Sequence, residues 1–300
     1  MIKKALFILI YVLLSNSVFS QSDPLFTQYY VNGIIINPAV SGTSSSSLLN
    51  IQTRQQWLGF ERAPVTSSLS YHKALNNRSA LGGFIMYDKA YPSMRANLQL
   101  NYAYHVPLDY DKVNLSFGIG AKLMYYNLDF NVEDLPNSND IALSSNSYDK
   151  TLGDASAGVY LYSQNFNCGF SVTNLLQSEF KEPVSESPYS NLEYRHYYGT
   201  IAYKFKIINN DWSLEPSLIV RKMQFSNSIS DFCTRIFYSD KIWFGSGYRS
   251  DGTALFAFGF LNDNLNISYS FDHTLAGDIA EYSYGSHELV LTFKLSSNNK

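Results

Sequence analysis

The chain has 300 residues and a net charge of -3, so it lacks the basic excess that is typical of nucleic-acid-binding proteins. It contains 24 tyrosines and 20 phenylalanines, and its mean hydropathy is -0.15. That combination is typical of a membrane barrel with an apolar outer band, aromatic girdles and a polar interior. The two cysteines, Cys168 and Cys233, are too few for a disulfide framework, and either one disulfide or two free thiols is compatible with the sequence.

Residues 1–20 have the organisation of a secretory signal peptide. Lys3 and Lys4 precede an apolar run from Ala5 to Leu14, and Ser20 is a small residue at a suitable cleavage point. The apolar run has about ten residues, whereas a membrane-spanning helix needs roughly 20. We therefore expect the mature chain to begin at Gln21 and to leave the cytoplasm.

Residues 21–47 predict an ordered but irregular segment. Asp23-Pro24, Asn37-Pro38 and Gly42 interrupt it too often for a regular helix or a central strand, because the residue before each proline favours extended geometry. The segment lies between the signal peptide and a long series of strands. We expect it to pack inside the predicted barrel or beneath its periplasmic mouth.

From residue 48 to residue 295, apolar and polar residues alternate with the period of two that indicates β-strands. In one clear case, Leu98, Leu100, Tyr102, Tyr104 and Val106 lie on one face, and Asn97, Gln99, Asn101 and His105 on the other. About 14 such segments have the roughly ten-residue length of a tilted membrane strand. Their centres are Gln52, Leu69, Ile85, Gln99, Ile119, Val159, Gly169, Thr200, Leu218, Phe232, Phe244, Phe258, Ser268 and Leu291. The sequence thus predicts an all-β fold, a transmembrane antiparallel β-barrel, followed by a short tail at residues 296–300.

The connections between these segments alternate in length. The connections at 76–77, 109–111, 163–165, 209–211, 239–240 and 262–264 are short, whereas those at 127–153, 174–191 and 273–285 are much longer. Outer-membrane barrels have short periplasmic turns and longer extracellular loops. This predicts that both termini are periplasmic. A secreted soluble β-sandwich or propeller would also alternate, but it would not need its long loops on one side.

No group of residues has the spacing of a catalytic, cofactor or metal site. The five histidines are scattered over five segments, at His72, His105, His196, His273 and His287. Asp272-His273 with a distant serine could imitate a hydrolase triad. The acidic loop with Asp129, Glu133, Asp134 and Asp140 could hold calcium, although its spacing does not match a calcium loop. We therefore expect a protein that is not an enzyme and has no cofactor or bound metal.

Glycines within the predicted strands indicate an occupied lumen. Gly118, Gly120, Gly158 and Gly169 have no following helix that would suggest a phosphate loop. Glycine inside a barrel strand more often permits a bend or close packing against material inside the barrel. Tyr125, Tyr160 and Tyr162 could fill part of that interior, so we do not assume a wide water-filled pore.

Short motifs in the first quarter of the chain carry a family resemblance. They comprise Asp23, Pro24, Gln28, Tyr29, Asn37, Pro38, Ala39, Gly42, Arg54, Gln56, Trp57 and Pro64. In these motifs, and in length and strand pattern over the whole chain, the sequence resembles the PorP/SprF family of Bacteroidetes outer-membrane proteins. It departs from many relatives at Val40, which follows Asn-Pro-Ala, and at Tyr71-His72-Lys73.

The resemblance implies a non-enzymatic component or accessory of the type IX secretion system in the cell outer membrane. The implied partners are a secreted adhesin or its C-terminal domain, periplasmic secretion or motility components, and outer-membrane lipid, but no nucleic acid. Such a protein would help to export or anchor its partner at the cell surface, in some bacteria for gliding motility. The alternatives are an outer-membrane channel or porin for a small solute and an outer-membrane hydrolase.

One physical hypothesis concerns Arg54, which we expect to face the lumen. A buried and unpaired guanidinium would be costly, so Arg54 requires a partner. We expect Asp23 or Asn37 to provide it and so to anchor the N-terminal segment in the periplasmic mouth. Otherwise the motif residues only shape a turn beneath the barrel.

Overall fold

The computed structural model describes residues 24–109, 112–129, 147–180, 191–208, 211–275 and 277–295. The first strands are β1 (Ser47–Gln55), β2 (Val65–Ala74), β3 (Ser79–Ala90), β4 (Ser93–Asp109), β5 (Val113–Asp129), β6 (Ser147–Ser163), β7 (Phe166–Thr173), β8 (Glu179–Phe180) and β9 (Asn191–Leu192). The others are β10 (His196–Tyr203), β11 (Phe205–Ile208), β12 (Trp212–Met223), β13 (Ser228–Tyr238), β14 (Ile242–Arg249), β15 (Thr253–Phe260), β16 (Leu265–Thr274) and β17 (Ser286–Leu295).

Helical structure is sparse in these ranges. Two short 3-10 helices, Gly33–Ile35 and Pro38–Val40, precede the strands, and one α-helix, α1 (Asp278–Tyr282), lies between β16 and β17. No helix in the described ranges has the length and apolar character needed to cross a bilayer.

The strands close into one antiparallel barrel. β1 pairs with both β2 and β17, while β10 pairs with β7 and β12. β11 continues β10 along β12, so the described residues form 14 barrel strands, and β8 and β9 form a separate two-stranded sheet. The prediction of about 14 strands is confirmed, and all 14 predicted centres lie within strands. Among the described residues, closure leaves the barrel sheet without an open edge, which a bilayer would not tolerate.

The barrel wall is apolar on its outer face and polar on its inner face, which is the reverse of a soluble protein. Leu100, at the middle of β4, is 65% exposed on the outside, whereas its neighbour Gln99 is 1% exposed inside. The same division recurs on the other long strands, where apolar residues face outward and Asn, Gln, Ser and Thr face the lumen. An apolar exterior around a polar interior is the arrangement of a barrel in lipid. It does not fit the soluble β-sandwich or propeller that the alternation of residues also allowed.

Aromatic side chains form two girdles at the ends of this apolar band. One girdle contains Tyr71, Tyr102, Tyr104, Tyr203, Phe205, Trp212, Tyr238 and Phe260, and the other contains Tyr87, Tyr125 and Tyr248. Across the β12–β13 pair, the rings of Trp212 and Tyr238 lie 4.8 Å apart. Such rings are enriched where a barrel meets the two membrane interfaces.

The two ends of the barrel differ in their connections. At one end, the short-turn end, successive strands are joined by two to four residues, at 75–78, 110–112, 164–165, 209–211, 239–241 and 261–264. At the opposite end, the long-connection end, the connections include 56–64, 130–146, 174–195 and 275–285. β1 begins and β17 ends at the short-turn end. The predicted same-side location of the two termini concerns residues 1–23 and 296–300, which lie outside the described ranges.

The structure distinguishes between the one disulfide and the two free thiols that the sequence allowed. Cys168 and Cys233 are both free thiols. They lie on different strands, β7 and β13, and Cys233 is buried inside the barrel.

A lysine in the middle of the apolar band should destabilise the barrel. We expect Leu100→Lys to cost about 2–4 kcal/mol, and Leu108→Lys, near the short-turn end of β4, about 0–1 kcal/mol, because the cost of a lipid-facing charge falls towards the interface. Urea unfolding in lipid vesicles measures both. Equal stability of Leu100→Lys and the natural protein would contradict a hydrocarbon environment at this position.

Candidate functional site

The first described residues fill the barrel lumen. Residues 24–46, here called the lumen segment, contain both 3-10 helices and bury Phe26, Ile34 and Ala39. The segment runs from the level of Glu288, near the long-connection end, to the level of His105, near the short-turn end, and then enters β1. The sequence predicted an irregular segment in or beneath one mouth. The structure extends it through most of the lumen.

Six buried charged residues surround the start of the lumen segment. This charge cluster consists of Arg54, Arg221, Arg249, Asp231, Asp272 and Glu288, which come from six different strands. Arg54 Nη2 lies 2.7 Å from Asp272 Oδ2, and Arg249 Nε lies 3.0 Å from Asp231 Oδ1. Arg221 also pairs with Asp231. Three positive and three negative groups therefore balance each other, which buried charges require.

Thr27 occupies the middle of the charge cluster. Its hydroxyl donates to Asp272 Oδ2 at 2.6 Å and accepts from Arg54 Nη1 and Arg249 Nη2, each at 3.2 Å. Charge-assisted hydrogen bonds of this kind are stronger than neutral ones. Thr27 thus connects ion pairs on opposite parts of the wall.

Main-chain groups of the lumen segment also bind the charge cluster. The backbone N–H groups of Thr27 and Gln28 donate to the two carboxylate oxygens of Glu288, at 2.8 and 3.0 Å. The carbonyl oxygen of Phe26 accepts from Arg221 Nη1 at 3.2 Å. Backbone groups outside a regular element need such partners when they are buried. The cluster therefore holds this stretch in one position.

Further along, Asn32 connects the segment to β1 and β2. Its side-chain Nδ2 donates to Gln52 Oε1 at 2.9 Å. Its side-chain Oδ1 accepts from the Ser70 hydroxyl at 2.8 Å and from Asn50 Nδ2 at 3.3 Å. Gln52 in turn donates to Glu288 Oε1 at 2.9 Å. The inward polar row of β1 is thus continuous with the charge cluster.

At the short-turn end, the Asn-Pro-Ala motif turns the chain back towards β1. Asn37 accepts from the Ala39 N–H at 2.9 Å and donates to the carbonyl oxygen of Val159 at 3.1 Å. The Ser41 carbonyl oxygen lies 3.0 Å from His105 Nε2. Gly42, at φ 76°, donates its N–H to His72 Nδ1 at 3.0 Å. This end of the segment is therefore held by neutral hydrogen bonds and not by ion pairs.

Two wall glycines make room for that turn. A Cβ on Gly118 would overlap the main-chain nitrogen of Ala39, and one on Gly158 would overlap the Asn37 side-chain oxygen. Any larger residue would push the lumen segment away from the wall. The occupied lumen that these glycines indicated is present. Tyr160 and Tyr162 lie inside the barrel as expected, whereas the expectation for Tyr125 is wrong, because Tyr125 faces outward.

A family model for the type IX secretion system membrane protein PorP/SprF matches residues 18–293. The chain belongs to the PorP/SprF family. No curated protein matches the chain.

Solved membrane barrels share the fold. The CymD monoaromatic hydrocarbon channel superposes with a TM-score of 0.54 at 9% identity, covering 89% of this chain and 94% of that one. The Ralstonia pickettii toluene transporter TbuX gives 0.51 at 11%, with 88% and 93% covered, and the P. putida toluene transporter TodX gives 0.50 at 11%, with 90% and 95% covered. Similarity at this level of identity concerns the fold alone.

The structure places the predicted motif residues of this PorP/SprF chain in two regions. Asp23 lies outside the described residues. Pro24, Gln28, Tyr29, Asn37, Pro38, Ala39, Gly42 and Arg54 are in or against the lumen segment, whereas Gln56, Trp57 and Pro64 lie in the β1–β2 connection. In that connection, the Gln56 N–H donates to the Pro64 carbonyl oxygen at 2.9 Å and the Trp57 N–H to the Ser286 hydroxyl at 3.1 Å.

The hypothesis that Arg54 faces the lumen and needs a partner is correct, but one predicted partner is wrong. Arg54 also lies near the long-connection end, and not at the short-turn end that the sequence assigned to the periplasm. Arg54 faces the lumen, but its partners are Thr27, Asp272 and Glu288, because Asn37 lies near the other end of the segment and binds Val159. The motif reading missed Thr27 and the acidic partners. Asp272 and Glu288 each lie on the polar face of their strand in the sequence. That position indicates that both carboxylates face the lumen, where Arg54 was expected.

Within the described residues, the other chemical candidates are not assembled. Asp272 is buried in the lumen, whereas the next residue, His273, is exposed on the opposite face of β16, so the two cannot act together in a triad. Of the acidic loop, only Asp129 lies within the described residues. Among those residues, no three His, Cys, Asp or Glu side chains are close enough to hold a metal ion.

Removal of the Arg54 guanidinium should release the lumen segment. We expect Arg54→Ala to lower the free energy of unfolding by about 3–5 kcal/mol, because Asp272 and Glu288 would remain buried with too little positive charge. Urea unfolding measures this loss, and limited proteolysis should cut within residues 24–46. Arg78→Ala, at an exposed turn, is the control. Full protease resistance in Arg54→Ala would mean that the charge cluster does not hold the segment.

A methyl group added at Gly118 should disturb the lumen segment at its short-turn end. We expect Gly118→Ala to destabilise the barrel by about 1–3 kcal/mol, since the main chain at Ala39 must move. Gly199→Ala is the matched control, because nothing lies within 4 Å of its added Cβ. Urea unfolding of both variants tests the contact, and equal stabilities would argue against it.

Proposed function

We propose that this PorP/SprF protein is a non-enzymatic outer-membrane component or accessory of the type IX secretion system. It binds a secreted adhesin, or the C-terminal domain of one, and helps to export or anchor it at the cell surface. The observation that supports this proposal is the closed lumen, in which residues 24–46 are fixed by the charge cluster. A barrel filled in this way is suited to binding at its mouths.

The orientation follows from the connections. In outer-membrane barrels, short turns face the periplasm and longer loops face outward. We therefore assign the short-turn end to the periplasm and the long-connection end to the cell surface. Periplasmic secretion or motility components, including those of gliding motility, would meet the short-turn end, and the secreted partner would meet the other.

Apolar side chains at the long-connection end supply a binding surface. Phe225 is 80% exposed and Leu176 is 67% exposed. Their connections are joined by a hydrogen bond from Gln177 Nε2 to Gln224 Oε1 at 2.7 Å, and the Tyr194 ring lies 6.0 Å from that of Phe225. We call Leu176, Tyr194 and Phe225 the rim patch. An exposed apolar group with a polar surround favours contact with a protein partner.

The second candidate is a channel or porin for a small solute. Of the solved barrels that share the fold, CymD is a channel, and TbuX and TodX are transporters. Passage through this barrel would require the lumen segment to leave, which would expose the charge cluster and the buried backbone groups of Phe26, Thr27 and Gln28. The closed lumen therefore favours the binding function.

Isolation of the tagged protein from native outer membranes in mild detergent tests the proposal. We expect mass spectrometry to identify one large secreted protein, or its C-terminal domain, together with the barrel. Phe225→Ser combined with Leu176→Ser should reduce this recovery at least about tenfold, because two apolar contacts are lost.

The matched control is Phe260→Ser combined with Leu108→Ser, which changes the same residue types near the short-turn end. It should leave recovery of the secreted protein unchanged. A barrel that is isolated without any partner, and that conducts ions in a planar bilayer, would contradict the proposal in favour of the channel.

A further inference from the structure

A cavity remains between the lumen segment and the wall. It has a volume of about 210 Å³ and is lined by the segment on one side and by β1, β2, β6, β7, β10, β12 and β13 on the other. Asn167 is the second residue of β7 and Glu215 the fourth of β12, so the cavity lies towards the short-turn end. A cavity of roughly 150 Å³ suffices for benzene. This one therefore has room for a substituted six-membered ring.

An ion pair with an unused hydrogen-bond donor lines the cavity. Arg235 pairs with Glu215 Oε1, and their side chains are 11% and 12% exposed. The Arg235 guanidinium is fixed against the Tyr30 ring, at 4.1 Å, and the Trp243 ring, at 5.2 Å. Arg235 Nε is buried without a hydrogen-bond partner. A buried donor without a partner carries a desolvation cost that a ligand or water can remove.

Neutral polar side chains complete the lining. Tyr160, Asn167 and Thr200 contribute a phenol, an amide and a hydroxyl, and none of these three side chains makes a hydrogen bond within the described ranges. Another titratable side chain of the lining, His72, already accepts the Gly42 N–H. The cavity thus offers both donors and acceptors, next to aromatic rings.

We propose that this cavity binds a neutral, monosaccharide-sized polyol that enters from the short-turn end. Hydroxyl groups both donate and accept, so they can pair with the Tyr160 phenol, the Asn167 amide and the Thr200 hydroxyl that line the cavity. The Arg235–Glu215 ion pair has no net charge, so it offers a charged ligand no opposite charge to bind. A zwitterion could bind both groups only by separating the pair. An apolar ring would leave the polar groups unpaired. This site is separate from the rim patch, so it goes beyond the proposed function.

Calorimetric titration of the purified mature protein in detergent tests this inference. The panel contains glucose, galactose and mannose as polyols, L-serine as a zwitterion and toluene as an apolar ring. We expect saturable binding of at least one sugar and none of L-serine or toluene. Trp243 fluorescence should change with the same dependence on sugar concentration, since its ring contacts the Arg235 guanidinium.

Thr200→Val removes one hydroxyl from the cavity at nearly constant volume, and we expect it to weaken sugar binding about tenfold. Thr53→Val makes the same change on the outer face of β1 and should leave binding unchanged. Three results would each overturn the inference. They are a cavity that holds water only, with no saturable sugar signal; binding of toluene or L-serine alone; and equal loss of sugar binding in both variants.

Discussion

A guanidinium or carboxylate that is buried inside a filled barrel needs an opposite charge beside it. In this protein Arg54, Arg221 and Arg249 pair with Asp231, Asp272 and Glu288, and Thr27 stands between them. Loss of one member would leave its partner buried and uncompensated, at a cost of several kcal/mol. The position of the lumen segment, and therefore the closure of the pore, depends on this arrangement.

The strands could be predicted from the sequence because their signal is local. Alternation along β4 separates Leu100 from Asn101 without reference to any other strand, and the same rule located all 14 strand centres. The glycines at 118 and 158 also indicated an occupied lumen, since a strand glycine marks a close approach. The occupant itself could be inferred only as the one irregular segment near the barrel.

The pairing within the site could not be predicted in the same way. Thr27 meets Asp272, which is 245 residues away, and Glu288, which is 261 residues away. Sequence spacing gives no measure of proximity at such separations, because proximity depends on barrel closure and strand tilt. The family resemblance indicates Arg54 correctly. Asn37 was a wrong choice as its partner, and the reason for that choice was only that both residues belong to family motifs. The neutral turn at Asn37 lies towards the other end of the lumen.

Arg54 and Glu288 face each other directly in the register of β1 with β17, the seam at which the first and last strands meet. A slip of one residue there would turn the Glu288 carboxylate into lipid, so the ion pair selects the correct seam. Thr27 and Gln28 bind the same carboxylate. The lumen segment is therefore fixed to both strands of the seam, because Thr27 binds Arg54 on β1 and Glu288 on β17.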